Sequence, residues 1–142
     1  MKTSQLMVIS CFIISANCWL SPSGYSDTLK EKMHEWHAKC QRYSAVPEEL
    51  IEEMKKGKFP EVESAKRYTS CLWTLDGPFD RDYKMNSLKM LKYVHDNHSE
   101  DGHDYVRCNR EALASGAKSF ELFWTMQKCI QKRVDESHYI FF

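Results

Sequence analysis

The chain has 142 residues, with 20 basic and 20 acidic side chains, so it is neutral overall. Proteins that bind nucleic acids concentrate lysine and arginine on one face. A neutral chain without long runs of one charge therefore argues against a nucleic-acid partner. Phe, Trp and Tyr make up 13% of the residues, which argues against disorder and for one well-filled or hollow core.

The first element predicted along the chain is a secretory signal peptide at residues 1–23. Lys2 precedes an apolar run from Leu6 to Leu20, and small residues follow this run. The run is shorter and more interrupted than the roughly 20 apolar residues of a spanning helix, so we predict no membrane anchoring. Cleavage is placed between Cys18 and Gly24, which leaves residues 24–142 as a single secreted, extracellular domain.

Three helices are predicted in the first half of this domain. Pro47 and the acidic residues after it indicate the first turn of a second helix, which ends at Gly57. A third helix follows Pro60 and ends at Gly77. The first helix, at about residues 27–44, is predicted from apolar residues at steps of three and four, which form one inward stripe: Leu29, Met33, Trp36, Cys40 and Tyr43.

Three more helices are predicted in the second half. Asn86 or Ser87 can cap a fourth helix, and Ser99 or Asp101 can cap a fifth helix that ends at Gly116. A sixth helix is expected at residues 119–134, followed by an apolar tail at residues 139–142. We expect this tail to fold back against the interior, the alternative being a loosely disordered end. Since no segment alternates apolar and polar residues, the fold class is all-α with six helices.

Six cysteines are present, and Cys11 and Cys18 fall in or beside the predicted signal. The remaining even number is what a secreted domain would pair, and four cysteines allow three pairings among which spacing alone does not choose. Each bridge would contribute roughly 3 to 4 kcal/mol in the chain-entropy model. The four cysteines of the predicted domain are Cys40, Cys71, Cys108 and Cys129.

The spacing of these cysteines resembles that of the insect odorant-binding proteins, the pheromone-binding and general odorant-binding family. That family has six cysteines, with three residues between the second and third and eight between the fifth and sixth. Counted from Cys71 and Cys129, the second and fifth positions hold Arg67 and Phe120. Because these two cysteines bond to each other in the family, their joint absence resembles the four-cysteine minus-C subgroup.

The resemblance implies the pairing Cys40 with Cys71 and Cys108 with Cys129. Nine residues from Phe120 to Cys129 rotate half a turn beyond whole helical turns, so these positions face opposite sides of the sixth helix. Without the missing bridge, the third and sixth helices would be held by packing alone. Arg67 would either lie over the ring of Phe120 or point to solvent while Phe120 fills the gap.

The resemblance also implies a function, that of a secreted carrier. Six helices would enclose one buried apolar pocket, which carries a small hydrophobic ligand such as an odorant or pheromone through sensillum lymph or another body fluid. A membrane odorant receptor is an implied partner, and the carrier would be a monomer or a weak homodimer. Methionines adapt their shape and aromatic rings offer broad contact, which suits such a pocket. The predicted ligand-binding residues are Met54, Leu72, Trp73, Leu75, Phe79, Leu88, Leu91, Val94, Phe123, Trp124, Tyr139 and Phe141.

A second hypothesis is a secreted helical protein of the salivary or venom type, which acts by surface binding to another protein. It predicts a filled core and an exposed aromatic patch, whereas the carrier predicts a buried cavity.

No enzyme, cofactor or metal site is predicted. The chain has no Gly-rich phosphate loop, nucleophile elbow or CxxC pair. His34 and His37 are three residues apart, whereas zinc-protease helices place their histidines four apart. The polar loop before the fifth helix lacks the glycine and glutamate of a calcium loop. A further hypothesis is that His95, His98 and His103 gain charge near pH 6 and loosen the edge of the pocket.

Overall fold

A computed structural model describes residues 27–94 and 98–141. The predicted signal peptide and its cleavage site lie outside the described residues, as do Cys11, Cys18 and His95. The described residues form six α-helices and no strand, which confirms the all-α class. The helices are α1 (Asp27–Ser44), α2 (Glu48–Lys55), α3 (Glu63–Asp76), α4 (Ser87–Met90), α5 (Asp101–Ala114) and α6 (Phe120–Ile130), followed by a 3-10 helix at Glu136–His138.

The first three helices begin and end close to the predicted positions. Pro47 has an extended backbone and precedes α2, whose first turn carries Glu48 and Glu49 at the positive end of the helix dipole. Gly57 follows α2 with φ of 74°, a conformation that glycine adopts without steric cost. Tyr43 was predicted on the inward stripe of α1, and this is wrong, because its side chain is 68% exposed.

The fourth and sixth helices are shorter than predicted. α4 is a single turn capped by Asn86, whose side-chain oxygen accepts from the backbone N–H of Lys89 at 3.0 Å. α6 ends at Ile130 rather than at residue 134. Ser119 makes no side-chain cap on α6, since its φ of 55° turns the chain sharply before the helix. None of the described helices is long and apolar enough to cross a membrane.

Helix α3 packs against both α1 and α6, and α6 also packs against α5. Two disulfides join α1 to α3 and α5 to α6, and they confirm the predicted cysteine pairing. Cys40 of α1 bonds to Cys71 of α3, and Cys108 of α5 bonds to Cys129 of α6. The contact between α3 and α6 is therefore non-covalent in the described part of the chain.

Candidate ligand-binding site

An aromatic cluster around Trp73 forms the middle of the core. Trp73 is fully buried on α3, and its indole N–H donates to the side-chain oxygen of Gln127 at 3.1 Å. The Trp73 ring meets Phe79 and Tyr105 at centroid distances of 5.9 and 6.0 Å. Pairing the indole N–H with a buried glutamine leaves the rest of the ring free for apolar contact.

The C-terminal tail folds into this cluster, as expected from its apolar sequence. Phe141 is 3% exposed, and its ring stands edge-on to Trp73 at 4.9 Å and to Trp36 at 6.0 Å. Its backbone has φ of 73°, a left-handed conformation that a bulky residue rarely adopts. Aromatic packing therefore offsets local backbone strain at this position, so the tail is held less firmly than its burial alone suggests.

Tyr105 of α5 holds the backbone of the tail. Its hydroxyl donates to the carbonyl of His138 at 3.1 Å and accepts from the N–H of Ile140 at 3.0 Å. Tyr139, between them, packs its ring edge-on against Phe59 at 5.8 Å. Burial raises the pKa of Tyr139 to about 12, so its hydroxyl stays protonated. These contacts bind the tail through a few identifiable groups.

A second polar contact reaches the tail from α1. The imidazole of His37 hydrogen bonds with the hydroxyl of Tyr68 and with the backbone of Phe141. Burial, with a smaller contribution from nearby Lys55, lowers the pKa of His37 from 6.5 to about 4. His37 is therefore neutral at physiological pH, in contact with the residue that fills the aromatic cluster.

A groove of about 400 Å³ opens at the surface beside this cluster. Its volume lies within the range of small-molecule sites. Tyr93 joins the groove to the interior, since its ring lies 5.8 Å from that of Phe141, and its hydroxyl donates to the backbone carbonyl of Asp76. Lysines outnumber acids around the groove, whose lining residues are Leu29, Lys32, Asp76, Gly77, Pro78, Lys89, Lys92 and Tyr93.

Ten of the twelve predicted ligand-binding residues lie in the core or pack against it. Seven of them are almost completely buried, namely Met54, Leu72, Trp73, Phe123, Trp124, Tyr139 and Phe141. Three are partly buried against the same core: Leu75, Phe79 and Val94. That a ligand contacts these residues remains a prediction.

The other two, Leu88 and Leu91, do not face the interior, and their placement in a buried pocket is wrong. Leu88 is 79% exposed and Leu91 is 55% exposed. Met90 and Tyr93 are buried instead, and each pair is three residues apart on one face of a helical turn. In a segment this short, with apolar residues on both faces, the hydrophobic period does not decide which face turns inward.

The seam between α3 and α6 contains the two positions where the resemblance predicts missing cysteines. The guanidinium carbon of Arg67 lies 5.7 Å from the ring centre of Phe120, as the stacked alternative required. The same guanidinium pairs with Glu63 at 2.5 Å, and its side chain is 46% exposed. Both predicted arrangements are thus partly present, and the cation–π contact is weak because water screens it.

A cluster of charged side chains around Glu61 also lies at this seam, and it was not predicted from the sequence. Glu61 accepts from the indole N–H of Trp124 at 2.9 Å and pairs with Lys128 and Lys66. Lys66 also pairs with Glu121 of α6 at 3.0 Å. The hydrogen bond from Lys128, assisted by the other two donors, lowers the pKa of Glu61 to about 2.

Comparison with known proteins assigns the chain to a family. The family model described as the PBP/GOBP family matches residues 23–133. The chain belongs to the PBP/GOBP family. PBP/GOBP proteins bind and carry small hydrophobic ligands rather than catalyse reactions, and they are typically secreted. A search among curated proteins found no match.

Proposed function

We propose that the protein is a secreted carrier, which takes up a small hydrophobic ligand and transports it through extracellular fluid such as sensillum lymph. One observation carries the proposal: the surface groove and the aromatic cluster meet at Tyr93, beside the ring of Phe141. A ligand enters through the groove and takes the place of that ring between Trp36 and Trp73. A membrane odorant receptor is the proposed downstream partner, and a monomer or weak homodimer the working form.

The energetics of this exchange favour a weakly held tail. A ligand that buries about 200 Å² gains roughly 5 kcal/mol at about 25 cal/mol per Å² before entropy losses. Displacing Phe141 costs its aromatic contacts but releases its strained backbone. The exchange therefore moves the tail, which follows the last disulfide-bonded residue, Cys129.

The groove adds a preference for one chemical end of the ligand. Lys32, Lys89 and Lys92 line it, with Asp76 as the acidic lining residue. An apolar chain that ends in a carboxylate or carbonyl would place its polar end here and its tail in the aromatic cluster. Fatty acids and related compounds fit this description better than hydrocarbons.

We also infer that the protein is a member of the four-cysteine minus-C subgroup. Arg67 and Phe120 stand where the resemblance predicts the second and fifth cysteines, and they face each other across the seam. The four cysteines of the described helices are all used in two bridges.

Displacement of an environment-sensitive apolar dye tests the carrier. The full chain should bind the dye, and fatty acids should displace it more strongly than their methyl esters. A chain ending at His138 should bind the dye more tightly, because Phe141 no longer competes. Tyr105→Phe should act in the same direction, since it removes both hydrogen bonds that hold the tail.

Matched lysine variants test the polar end of the site. Lys89→Gln together with Lys92→Gln should reduce the preference for acids over esters. Lys118→Gln together with Lys132→Gln, which removes two exposed lysines outside the groove, should not. An equal loss in both variants would show that net charge, and not the groove, sets the preference.

The surface-binding alternative is favoured by a filled aromatic cluster and by the exposed apolar side chains of Leu88, Leu91 and Tyr83. It predicts that neither the full chain nor the shortened chain takes up the dye. It also predicts that Leu88→Ser with Leu91→Ser abolishes binding to the partner protein while leaving the fold unchanged.

A further inference from the structure

Two histidines and one aspartate meet at the base of the tail. His138 Nδ1 lies 2.9 Å from the carboxylate of Asp101, the first residue of α5. The ring of His98, three residues before Asp101, stacks on the ring of His138 with centroids 3.6 Å apart. One donor atom from each of the three side chains lies within 4.8 Å of the other two, and all three side chains are half-buried.

We propose that His98, Asp101 and His138 form a binding site for a divalent transition-metal ion of the zinc type. Two imidazole nitrogens and one carboxylate oxygen are donors that Zn²⁺ takes in proteins, at about 2.0 to 2.2 Å. Three protein ligands leave the fourth tetrahedral position for water. Imidazole nitrogens bind a metal in the plane of the ring, so the stacked ring of His98 must turn toward the Asp101–His138 pair for all three side chains to bind one ion.

The surroundings of the cluster favour a cation. Glu100 lies 4.0 Å from His98 Nδ1. Asp135 lies within electrostatic reach of both imidazoles, and hydrogen bonds from Ser137, with a smaller contribution from the two histidines, lower its pKa. Both carboxylates add negative potential without occupying the three donor positions.

Sequence patterns do not reveal this site, because His138 is distant in the chain from the other two donors. His138 and Asp101 are 37 residues apart, and folding of the tail alone brings them together. The local patterns that argue against a metal at His34 and His37, or in a calcium loop, do not concern this arrangement.

A bound ion would connect the start of α5 to the tail. His138 is directly followed by Tyr139, Ile140 and Phe141, which fill the core. Its own carbonyl is already held by Tyr105. The ion would thus hold the tail at a third point, in addition to Tyr105 and His37. Metal binding should therefore protect the C-terminus from proteolysis. This site stands independently of the carrier function.

Isothermal titration of the untagged full chain with Zn²⁺ tests the site. We expect one ion per chain, with affinity lowered at least about tenfold in His98→Gln, in Asp101→Asn and in His138→Gln. His34→Gln and His103→Gln remove exposed histidines outside the cluster and should leave the affinity unchanged. Absence of binding, or equal losses in the two control variants, would overturn the proposal.

A second measurement separates metal binding from damage to the tail by the substitution. The unsubstituted chain loaded with Co²⁺ should develop the intense visible absorption of a four-coordinate ion, and Zn²⁺ should remove it. Zn²⁺ should also slow release of C-terminal residues by carboxypeptidase in the unsubstituted chain but not in His98→Gln, which leaves the tail sequence intact. Equal protection in both proteins would refute the anchoring role.

Discussion

His37 links acidity to the stability of the whole fold at the level of a single residue. The folded state holds the pKa of this imidazole at about 4, mainly by burial, against 6.5 in the unfolded chain. Between these values the unfolded state binds more protons, so stability falls as pH falls from 6.5 towards 4. Protonation also places a charge beside Phe141, the residue that fills the aromatic cluster.

We predict that the free energy of unfolding decreases by about 3 kcal/mol across this pH interval. Urea unfolding followed by tryptophan fluorescence at a series of pH values measures it. His37→Gln should remove most of this slope, whereas His34→Gln, an exposed neighbour three residues earlier, should retain it. A slope unchanged in His37→Gln would assign the effect to other groups.

At the level of the helices, the packing of α3 against α6 holds the fold together without a disulfide. Phe120, Arg67 and the charges around Glu61 occupy it. Exposed ion pairs of this type contribute little individually, because water and salt screen them. We therefore expect this contact to separate before the two disulfide-bonded helix pairs do.

Placing cysteines at both Arg67 and Phe120 should form a third bridge and raise the free energy of unfolding by about 2 to 4 kcal/mol after oxidation. Thermal and urea unfolding measure the gain. The same protein under reducing conditions, and a variant with serine at both positions, are the controls. If the oxidised variant melts at the same temperature as the unsubstituted chain, the seam is not a weak point.

At the same scale, the helices show what the sequence could predict. Pro47 and Gly57 are local signals for the start and end of α2, and the cysteine spacing resembles a known frame. The direction faced by α4 was not predictable, because Met90 and Leu91 offer two competing apolar faces. The partners of the tail were not predictable either, since contacts such as Tyr105 with Ile140 join distant parts of the chain.

For the whole molecule, each disulfide should account for a large part of the stability. Loops closed over sequence separations of 21 and 31 residues contribute about 3 to 4 kcal/mol each in the chain-entropy model. Replacing Cys108 and Cys129 by serine should lower the free energy of unfolding by about that amount, as measured in urea. A loss below about 1 kcal/mol would show that packing of α5 on α6 suffices.

The positions of the two disulfides also determine whether the fragments stay joined after a single proteolytic cut of the backbone. Cys40 and Cys71 close one loop, and Cys108 and Cys129 close another that neither overlaps nor encloses the first. One protease cut anywhere from residue 72 to residue 107 therefore yields two fragments without a covalent connection. A bridge between positions 67 and 120 would have kept such fragments joined, so this protein, once nicked there, comes apart wherever its non-covalent contacts fail.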